Sequence, residues 1–415
     1  MRTVARRAVV IAFALAATAA AALIARPYVH GLSFVVRAEN MDGLVRRIAD
    51  LDTGLARERE LDIPMPGGSL RARAYEAAGH ARRAALLVSG LHPAGIDEPR
   101  LVALARQLSD SGVTVVTPDI PELSQFTITP ATTDAIERAA SWLAAQPAFA
   151  PDGRVGMMGI SFSGGLSVVA AGRPGLRDHV AYIFSLGGHD DLPRVLKYLC
   201  TGVEPPPPDS RSPLRGVRLT PDTIGQTAQL ERDAAEVVEP PPPHDYGAAV
   251  VLLGVAERVV PRAQVGPLKD ALKRVLRASA LDRADKPQAE RELTALRALA
   301  GTLAEPSATL LRYVNNRDVV HLGARLLPHV GFYGDAPALS ASRSPKPSAP
   351  VFLLHGTEDN VIPAAESIHL AAELRGATPV RILLSGLISH ADADRPAHVG
   401  DVLELASFWG DLLSR

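Results

Sequence analysis

Cysteine is nearly absent from this chain of 415 residues, which contains only Cys200. A single thiol cannot form an intrachain disulfide, so cysteine usage does not reveal the compartment. No histidine or cysteine cluster has the spacing of a zinc site, and the sequence predicts neither a metal nor another cofactor. The chain also lacks an excess of one charge, with a formal net charge of -1. This balance argues against a nucleic-acid partner, which would require a strong basic excess.

A long uncharged stretch lies near the N-terminus. Residues 8–25 are nearly all apolar, and Arg2, Arg6 and Arg7 precede them. Eighteen residues are just short of the roughly 20 that cross a bilayer as a helix. The stretch predicts a membrane anchor that leaves the bulk of the chain on the extracytoplasmic, periplasmic side. A secretory signal, cut to release the protein, is the alternative. A buried soluble helix is a third interpretation.

The apolar fraction of 47% is ordinary for a globular protein, and the length allows one elaborated domain or two. Residues 27–57 predict a helical linker, and the alternating segments on either side of Pro66 predict a hairpin. Short apolar strands then alternate with amphipathic helices, as in a parallel sheet covered on both faces. The predicted strands are 84–90, 113–119, 154–159, 180–188, 349–356 and 379–386, and the helices are 99–112, 132–146, 165–172, 363–376 and 398–414.

This alternation is interrupted between residues 192 and 345, where no comparable strand pattern occurs. Helical spacing over 263–304 predicts an inserted cap, and we favour internal cap packing over a lipid groove. Proline runs at 205–208 and 240–243 are either stiff loops between cap helices or docking segments. The predicted division is 1–26 membrane or signal segment, 27–57 linker, 58–191 first part of the core, 192–345 cap and 346–415 second part of the core.

The stretch "RVGMMGISFSGGLSVVAAG", residues 154–172, predicts a strand that turns abruptly into a helix at a serine. Such a turn exposes a hydroxyl at the end of a sheet and presents a backbone N–H beside it. The strained backbone requires small residues two positions before and after the nucleophile. Gly159 and Ser163 satisfy this rule around Ser161, although glycine is usual in the second place. The frame centred on Ser163 also fits, but Ser163 should already lie in the first turn of the helix.

Two later motifs resemble the α/β-hydrolase family, as does the serine turn. "LLHGTEDNVIP" places Asp359 after a strand, and "ILLSGLISHADAD" places His390 after the last one. The resemblance covers residues 84–191 and 346–412 and reproduces the family order of nucleophile, acid and histidine. It implies a mostly parallel, doubly wound sheet of the α/β-hydrolase type with an inserted, mainly helical cap. Taken singly, Asp359 could be a helix-start aspartate and His390 a loop histidine.

The resemblance implies a catalytic role for each of these residues. Ser161 would be the nucleophile, His390 the base that takes its proton, and Asp359 the carboxylate that orients the histidine. Asp190, after the next strand, is the alternative acid. A metal site formed by residues 189–191 is disfavoured, because three adjacent residues rarely converge on one ion.

An oxyanion hole requires two donors. The backbone N–H of Phe162 is one, and the second should come from the loop "SGLHPAGID" after the first buried strand. Leu91 occupies the position that follows the family's usual His-Gly pair, which here is Ser89-Gly90. This departure leaves His92 as an alternative donor.

These residues together predict a serine hydrolase that cleaves a small-molecule carboxylic ester or acyl compound. A peptidase or amidase using the same triad is an alternative, because one fold supports many reactions. A non-catalytic, hydrolase-like binding module at the cell envelope is another.

Overall fold

A computed structural model of the chain places most residues around one sheet of eight strands. It describes residues 28–38, 43–51, 53–54, 56–77, 83–206, 208, 243–282, 284–388 and 399–415. In chain order, the strands are β1 (Arg57–Met65), β2 (Gly68–Glu76), β3 (Ala84–Val88), β4 (Thr114–Pro118), β5 (Val155–Ile160), β6 (Val180–Leu186), β7 (Val351–Gly356) and β8 (Val380–Ser385).

The strand order in the sheet is β1-β2-β4-β3-β5-β6-β7-β8. The predicted hairpin is confirmed as the antiparallel pair β1–β2, and β2 also runs antiparallel to β4. The pairs from β4 to β8 are parallel. The predicted fold class is confirmed as a mostly parallel sheet of the α/β-hydrolase type, flanked by helices.

Helices cover both faces of the sheet, so alternate side chains of a strand enter different cores. In β3, Leu86 and Val88 join one apolar cluster, while Ala85 and Leu87 join the other. The first cluster includes residues of α5, α6 and α14, and the second includes residues of α1, α3 and α15. The bounds are α1 (28–38), α2 (Leu44–Asp50), α3 (Pro99–Asp110), α4 (Pro121–Ser124), α5 (Pro130–Ala144), α6 (Phe162–Gly172), α14 (Ala364–Glu373) and α15 (Val399–Leu413).

In its described residues, the segment between β6 and β7 consists of helices, short 3-10 turns and loops and contains no strand, in line with the predicted, mainly helical insert. Its helices extend the first apolar cluster outward from the sheet, so the insert and the sheet share a continuous core. The insert helices are α7 (Leu192–Thr201), α8 (Asp245–Val259), α9 (Arg262–Leu281), α10 (Lys286–Ala300), α11 (Ser307–Asn315), α12 (Val319–Leu326) and α13 (Val330–Gly334).

The described residues of the segment 27–57 include α1 and α2, and α1 is more than a connector. Phe34 and Val35 are almost fully buried, and the Phe34 ring packs 4.2 Å from the Trp409 ring of α15. Within the described ranges, no helix combines the length and apolarity that crossing a bilayer requires. The predicted anchor at 8–25 lies outside those ranges.

Candidate active site

Ser161 occupies the turn between β5 and α6, with φ 58° and ψ -132°. A positive φ is uncommon for a residue with a Cβ atom, and it costs conformational energy. The turn is fixed on both sides, because the Ser161 N–H donates to Leu186 O at 2.7 Å and Ser161 O accepts from Gly164 N at 2.8 Å. The sheet therefore holds this serine in an unfavourable conformation at the C-terminal end of β5.

Two glycines make the turn possible because the backbone packs closely there. A Cβ atom on Gly159 would lie 2.3 Å from Ser163 O. One on Gly164 would lie 2.5 Å from the Ser185 hydroxyl and 3.3 Å from Gly159 O. All three distances are shorter than van der Waals contact, so the turn excludes larger residues at these positions.

Ser163 is accommodated at the position where the usual pattern has glycine because its hydroxyl forms hydrogen bonds within the turn. The hydroxyl accepts from Ile160 N at 2.9 Å and lies within donating distance of Ile160 O (2.8 Å) and Val88 O (3.0 Å). Ser163 is fully buried in the first turn of α6, whereas Ser161 retains 9% exposure. Because the hydrogen bonds of the Ser163 hydroxyl join β3 to β5, Ser161 is favoured as the nucleophile.

Asp359 lies at the same edge of the sheet as Ser161. Ser161 follows the last residue of β5, and Asp359 comes three residues after Gly356 at the end of β7. Since β6 lies between these strands, their ends are separated by about 10 Å. An imidazole with a hydrogen bond of about 2.8 Å on either side can bridge such a gap.

The Asp359 carboxylate is oriented by backbone donors. Its Oδ1 accepts from Val361 N at 2.9 Å and from Ile362 N at 3.0 Å, and its side chain is almost fully buried. His355 lies nearby, with Nε2 3.4 Å from Asp359 Oδ2, but its ring is engaged elsewhere. Nε2 is 2.8 Å from Ile362 O, and Nδ1 is 2.7 Å from the Ser367 hydroxyl. His355 is therefore part of the support around the carboxylate.

His390, the predicted base, lies outside the described residues. The described chain leaves β8 at Ser385, which is paired with Gly356, and continues to Ile388. β8 therefore ends at the same edge as β5 and β7. Among the described residues, no histidine nitrogen is hydrogen-bonded to the Ser161 hydroxyl, and the assignment of His390 stays a prediction.

The loop after β3 packs directly against Ser161. A Cβ atom on Gly90 would lie 3.5 Å from the Ser161 Cβ and 3.4 Å from Ile160 O, so only a small residue allows this approach. In the described part of the chain, the N–H groups of Leu91 and His92 have no hydrogen-bond acceptor. Either could stabilise a developing oxyanion together with the Phe162 N–H, and the choice between them stays open.

Two hydrogen bonds, one from the cap and one within the loop, fix the conformation of this loop. The Tyr246 hydroxyl of cap helix α8 donates to Leu91 O at 3.0 Å. His92 accepts from Ala94 N through Nδ1 at 3.2 Å, and burial lowers the pKa of its imidazole. His92 is thus a neutral structural element of the loop at neutral pH.

Asp190, the alternative acid, is held in a buried ion-pair network. Arg194 Nη2 donates to Asp190 Oδ2 at 3.1 Å, and the same guanidinium forms two bonds to Glu366. Glu366 also accepts from the backbone N–H groups of Asp190 and Asp191, at 3.0 and 3.1 Å. Burial raises the pKa of Asp190 to about 6, although Arg194 opposes the shift. The network ties the loop after β6 and cap helix α7 to α14.

Metal binding at residues 189–191 gains no support. No group of three or more His, Cys, Asp or Glu side chains in the described segments could hold a metal ion. His189 is fully buried, and its Nε2 lies 2.9 Å from Leu339 O.

Sequence reasoning missed Tyr246 and Glu366. Glu366 carried a weak signal, because it is a charged residue in a helical stripe that also contains Leu370. Nothing in the sequence marked Tyr246, whose partner Leu91 is 155 residues away.

Comparisons with known proteins give structural similarity at low sequence identity. No protein-family model matches the chain, and no curated protein matches its sequence significantly. An esterase from Pyrobaculum calidifontis aligns with a TM-score of 0.43 and 16% identity, over 94% of this chain and 91% of the esterase. A dienelactone hydrolase from Anabaena variabilis gives 0.38 and 14%, over 86% and 97%. An acylaminoacyl peptidase from Pyrococcus horikoshii gives 0.42 and 12%, over 88% of this chain and 42% of the peptidase. These similarities do not assign an activity to this chain.

Proposed function

We propose that the chain is a serine hydrolase that cleaves a carboxylic ester through an acyl-enzyme on Ser161. The observation that carries this proposal is the positive φ of Ser161 between β5 and α6, with the loop after β3 packed against it. Ser161 is held in an unfavourable backbone conformation, and such strain is concentrated at functional sites.

The proposed mechanism assigns one task to each group. His390 takes the Ser161 proton as the hydroxyl oxygen attacks the ester carbonyl, and it later returns a proton to the leaving alcohol. Asp359, fixed by Val361 N and Ile362 N, orients the imidazole and stabilises its charged form. The N–H groups of Phe162 and of Leu91 or His92 receive the negative charge of the tetrahedral intermediate. Water then attacks the acyl-enzyme by the same route.

The test compares single and combined substitutions on p-nitrophenyl acetate. Ser161→Ala and His390→Ala should each lower kcat by about six orders of magnitude, to a small residual rate, and Asp359→Asn should lower kcat by about four orders of magnitude. Because the three residues act as one unit, the Ser161→Ala/His390→Ala double variant should be no slower than either single variant. Additive losses in the double variant would contradict a common mechanism. In the comparison variant Ser163→Ala, which removes a neighbouring hydroxyl that supports the turn, stability should fall but turnover should stay far above that of Ser161→Ala.

The ester preference is tested separately from the triad. Turnover of short-chain esters, long-chain esters and aminoacyl amides by the same preparation ranks the substrate classes. Faster cleavage of amides would favour the peptidase alternative. A folded chain that reacts with no serine-directed probe would instead support the binding module.

We further propose that residues 8–25 tether the hydrolase to a membrane, with the catalytic domain on the extracytoplasmic side. The uncharged length of this segment and the preceding arginines support the proposal. Probe labelling of membrane and soluble fractions tests it, because a cleaved signal would place the labelled protein in the soluble fraction.

A further inference from the structure

The two N-terminal helices carry a concentration of exposed apolar side chains. Seven of the twelve large apolar residues that are exposed in the described chain lie between residues 28 and 51. We call them the N-terminal apolar surface: Tyr28, Val29 and Leu32 on α1, and Leu44, Val45, Ile48 and Leu51 on or directly after α2.

Their spacing defines one face on each helix. Tyr28 and Leu32 are four residues apart, as are Leu44 and Ile48, and Leu51 follows three residues later. Residues at these intervals lie above one another on a helix. Each helix therefore presents an apolar stripe to solvent, a pattern that marks an interaction surface.

The two helices are hydrogen-bonded to each other and to the rest of the protein, so their exposed side chains do not belong to a detached segment. The Ser33 hydroxyl donates to Ala49 O at 2.8 Å and joins α1 to α2. Arg37 donates to the Ser111 hydroxyl at 2.8 Å, and Gly54 N donates to Asp110 O at 3.1 Å. These two contacts fasten the C-terminal end of α1 and the segment after α2 to the C-terminal end of α3, close to the start of β4.

We propose that the N-terminal apolar surface docks in the headgroup region of a lipid bilayer. The uncharged stretch 8–25 ends three residues before Tyr28, so a tethered chain would bring α1 to within about 10 Å of the membrane. Tyr28 supplies an amphipathic ring and the exposed Arg47 adds a positive charge on α2, as is common at membrane interfaces, whereas Arg46 is paired with Asp50 at 2.8 Å. Paired helices with one apolar face each can lie in the plane of this interface.

The inference rests on the proposed tether and not on the hydrolase chemistry. We therefore expect substitutions on this surface to leave turnover of a soluble ester unchanged.

The test uses the full chain in vesicles of phosphatidylcholine with a minority of phosphatidylglycerol. Val45→Cys and, as the matched control, Val320→Cys on cap helix α12 each receive an environment-sensitive fluorophore. Val320 is an exposed valine of the same kind, remote in sequence from the surface. The unsubstituted chain, whose Cys200 is buried, gives the labelling blank.

We expect vesicles to reduce iodide quenching of the fluorophore at position 45 several-fold. Lipids with a spin label near the headgroup should quench this fluorophore. Neither change should occur at position 320. Iodide quenching at position 45 that stays at the level of position 320 in vesicle-bound protein would overturn docking while leaving the tether intact. Protection at position 45 without vesicles would also overturn it, because the chain's own N-terminal segment or a second copy would then cover the surface. Failure of the chain to float with vesicles would refute both the tether and the docking.

Discussion

The Tyr246 hydroxyl donates a hydrogen bond of 3.0 Å to Leu91 O, and this contact joins the cap to the loop that packs against Ser161. The acceptor belongs to the peptide group whose N–H is that of His92, so the bond fixes the plane of one candidate oxyanion donor. The ring of Tyr246 is in turn held edge-on by Phe126, with ring centroids 6.0 Å apart. Tyr246 is thus a positioning residue for the proposed chemistry, and it acts through the loop.

Removal of this hydroxyl should slow the reaction without weakening substrate binding. A lost hydrogen bond that leaves a carbonyl unpaired costs about 1–3 kcal/mol, so Tyr246→Phe should lower kcat roughly tenfold with little change in KM. Tyr333→Phe is the control, because that hydroxyl accepts from Ile128 N elsewhere in the same packing. Equal kcat values for wild type and Tyr246→Phe would show that the bond does not position the loop.

The strain at Ser161 predicts a stability difference between two substitutions that both remove the hydroxyl. Glycine adopts a φ of 58° without steric cost, whereas alanine retains the Cβ atom that opposes it. Ser161→Gly should therefore have a free energy of unfolding about 1 kcal/mol higher than Ser161→Ala. Urea unfolding of the two variants measures the difference. A more stable alanine variant would mean that the turn is not strained.

Close packing around Gly164 predicts a loss of stability on adding a single methyl group. The new Cβ atom would lie 2.5 Å from the Ser185 hydroxyl and 3.1 Å from the Gly188 Cα. Gly164→Ala should lower the free energy of unfolding by about 1–3 kcal/mol. At Gly331 in cap helix α13, nothing lies within 4 Å of the added atom, so Gly331→Ala should cause no loss. Equal effects at the two sites in thermal unfolding would contradict the packing.

The raised pKa of Asp190 predicts that the free energy of unfolding depends on pH. Its folded pKa of about 6 exceeds its ordinary 3.8, so the folded state holds more protons than the unfolded state between these values. Deprotonation of Asp190 should therefore lower the free energy of unfolding by about 2–3 kcal/mol as the pH rises from 4 to 6. Asp190→Asn should flatten this slope, while the exposed control Asp270→Asn should preserve it. Denaturant midpoints across the range give the slopes, and an unchanged slope in Asp190→Asn would refute the assignment.

The core strands could be predicted from the sequence because burial on both faces leaves a strong local signal. β3 and β4 are short runs in which all five residues are buried, and both were predicted within two residues at each end. The turn at Ser161 was equally local, since small residues on either side of it fit only a tight connection. The structural role of Ser163 could not be predicted from local sequence, because its hydrogen bond to Val88 O spans 75 residues.

Contacts between distant segments explain what the sequence did not predict. The amphipathic pattern of residues 27–57 indicated helices, but not that Phe34 would pack against Trp409. The Asp190–Arg194–Glu366 network joins residues up to 176 positions apart, and no local pattern encodes such a pairing. The sequence indicated the order of the triad but not the groups that support it.

The most direct test of the proposed hydrolase is the position of a covalent adduct on the full chain. After reaction with a fluorophosphonate, tryptic digestion should place the adduct in the peptide 155–177, and fragment ions should assign it to Ser161. Among the described residues, the Ser163 hydroxyl forms buried hydrogen bonds within the turn, whereas the Ser161 hydroxyl does not. We expect modification of Ser161 in the wild type and none in Ser161→Ala. An adduct on Ser163, or no adduct on a folded chain, would contradict the proposed nucleophile.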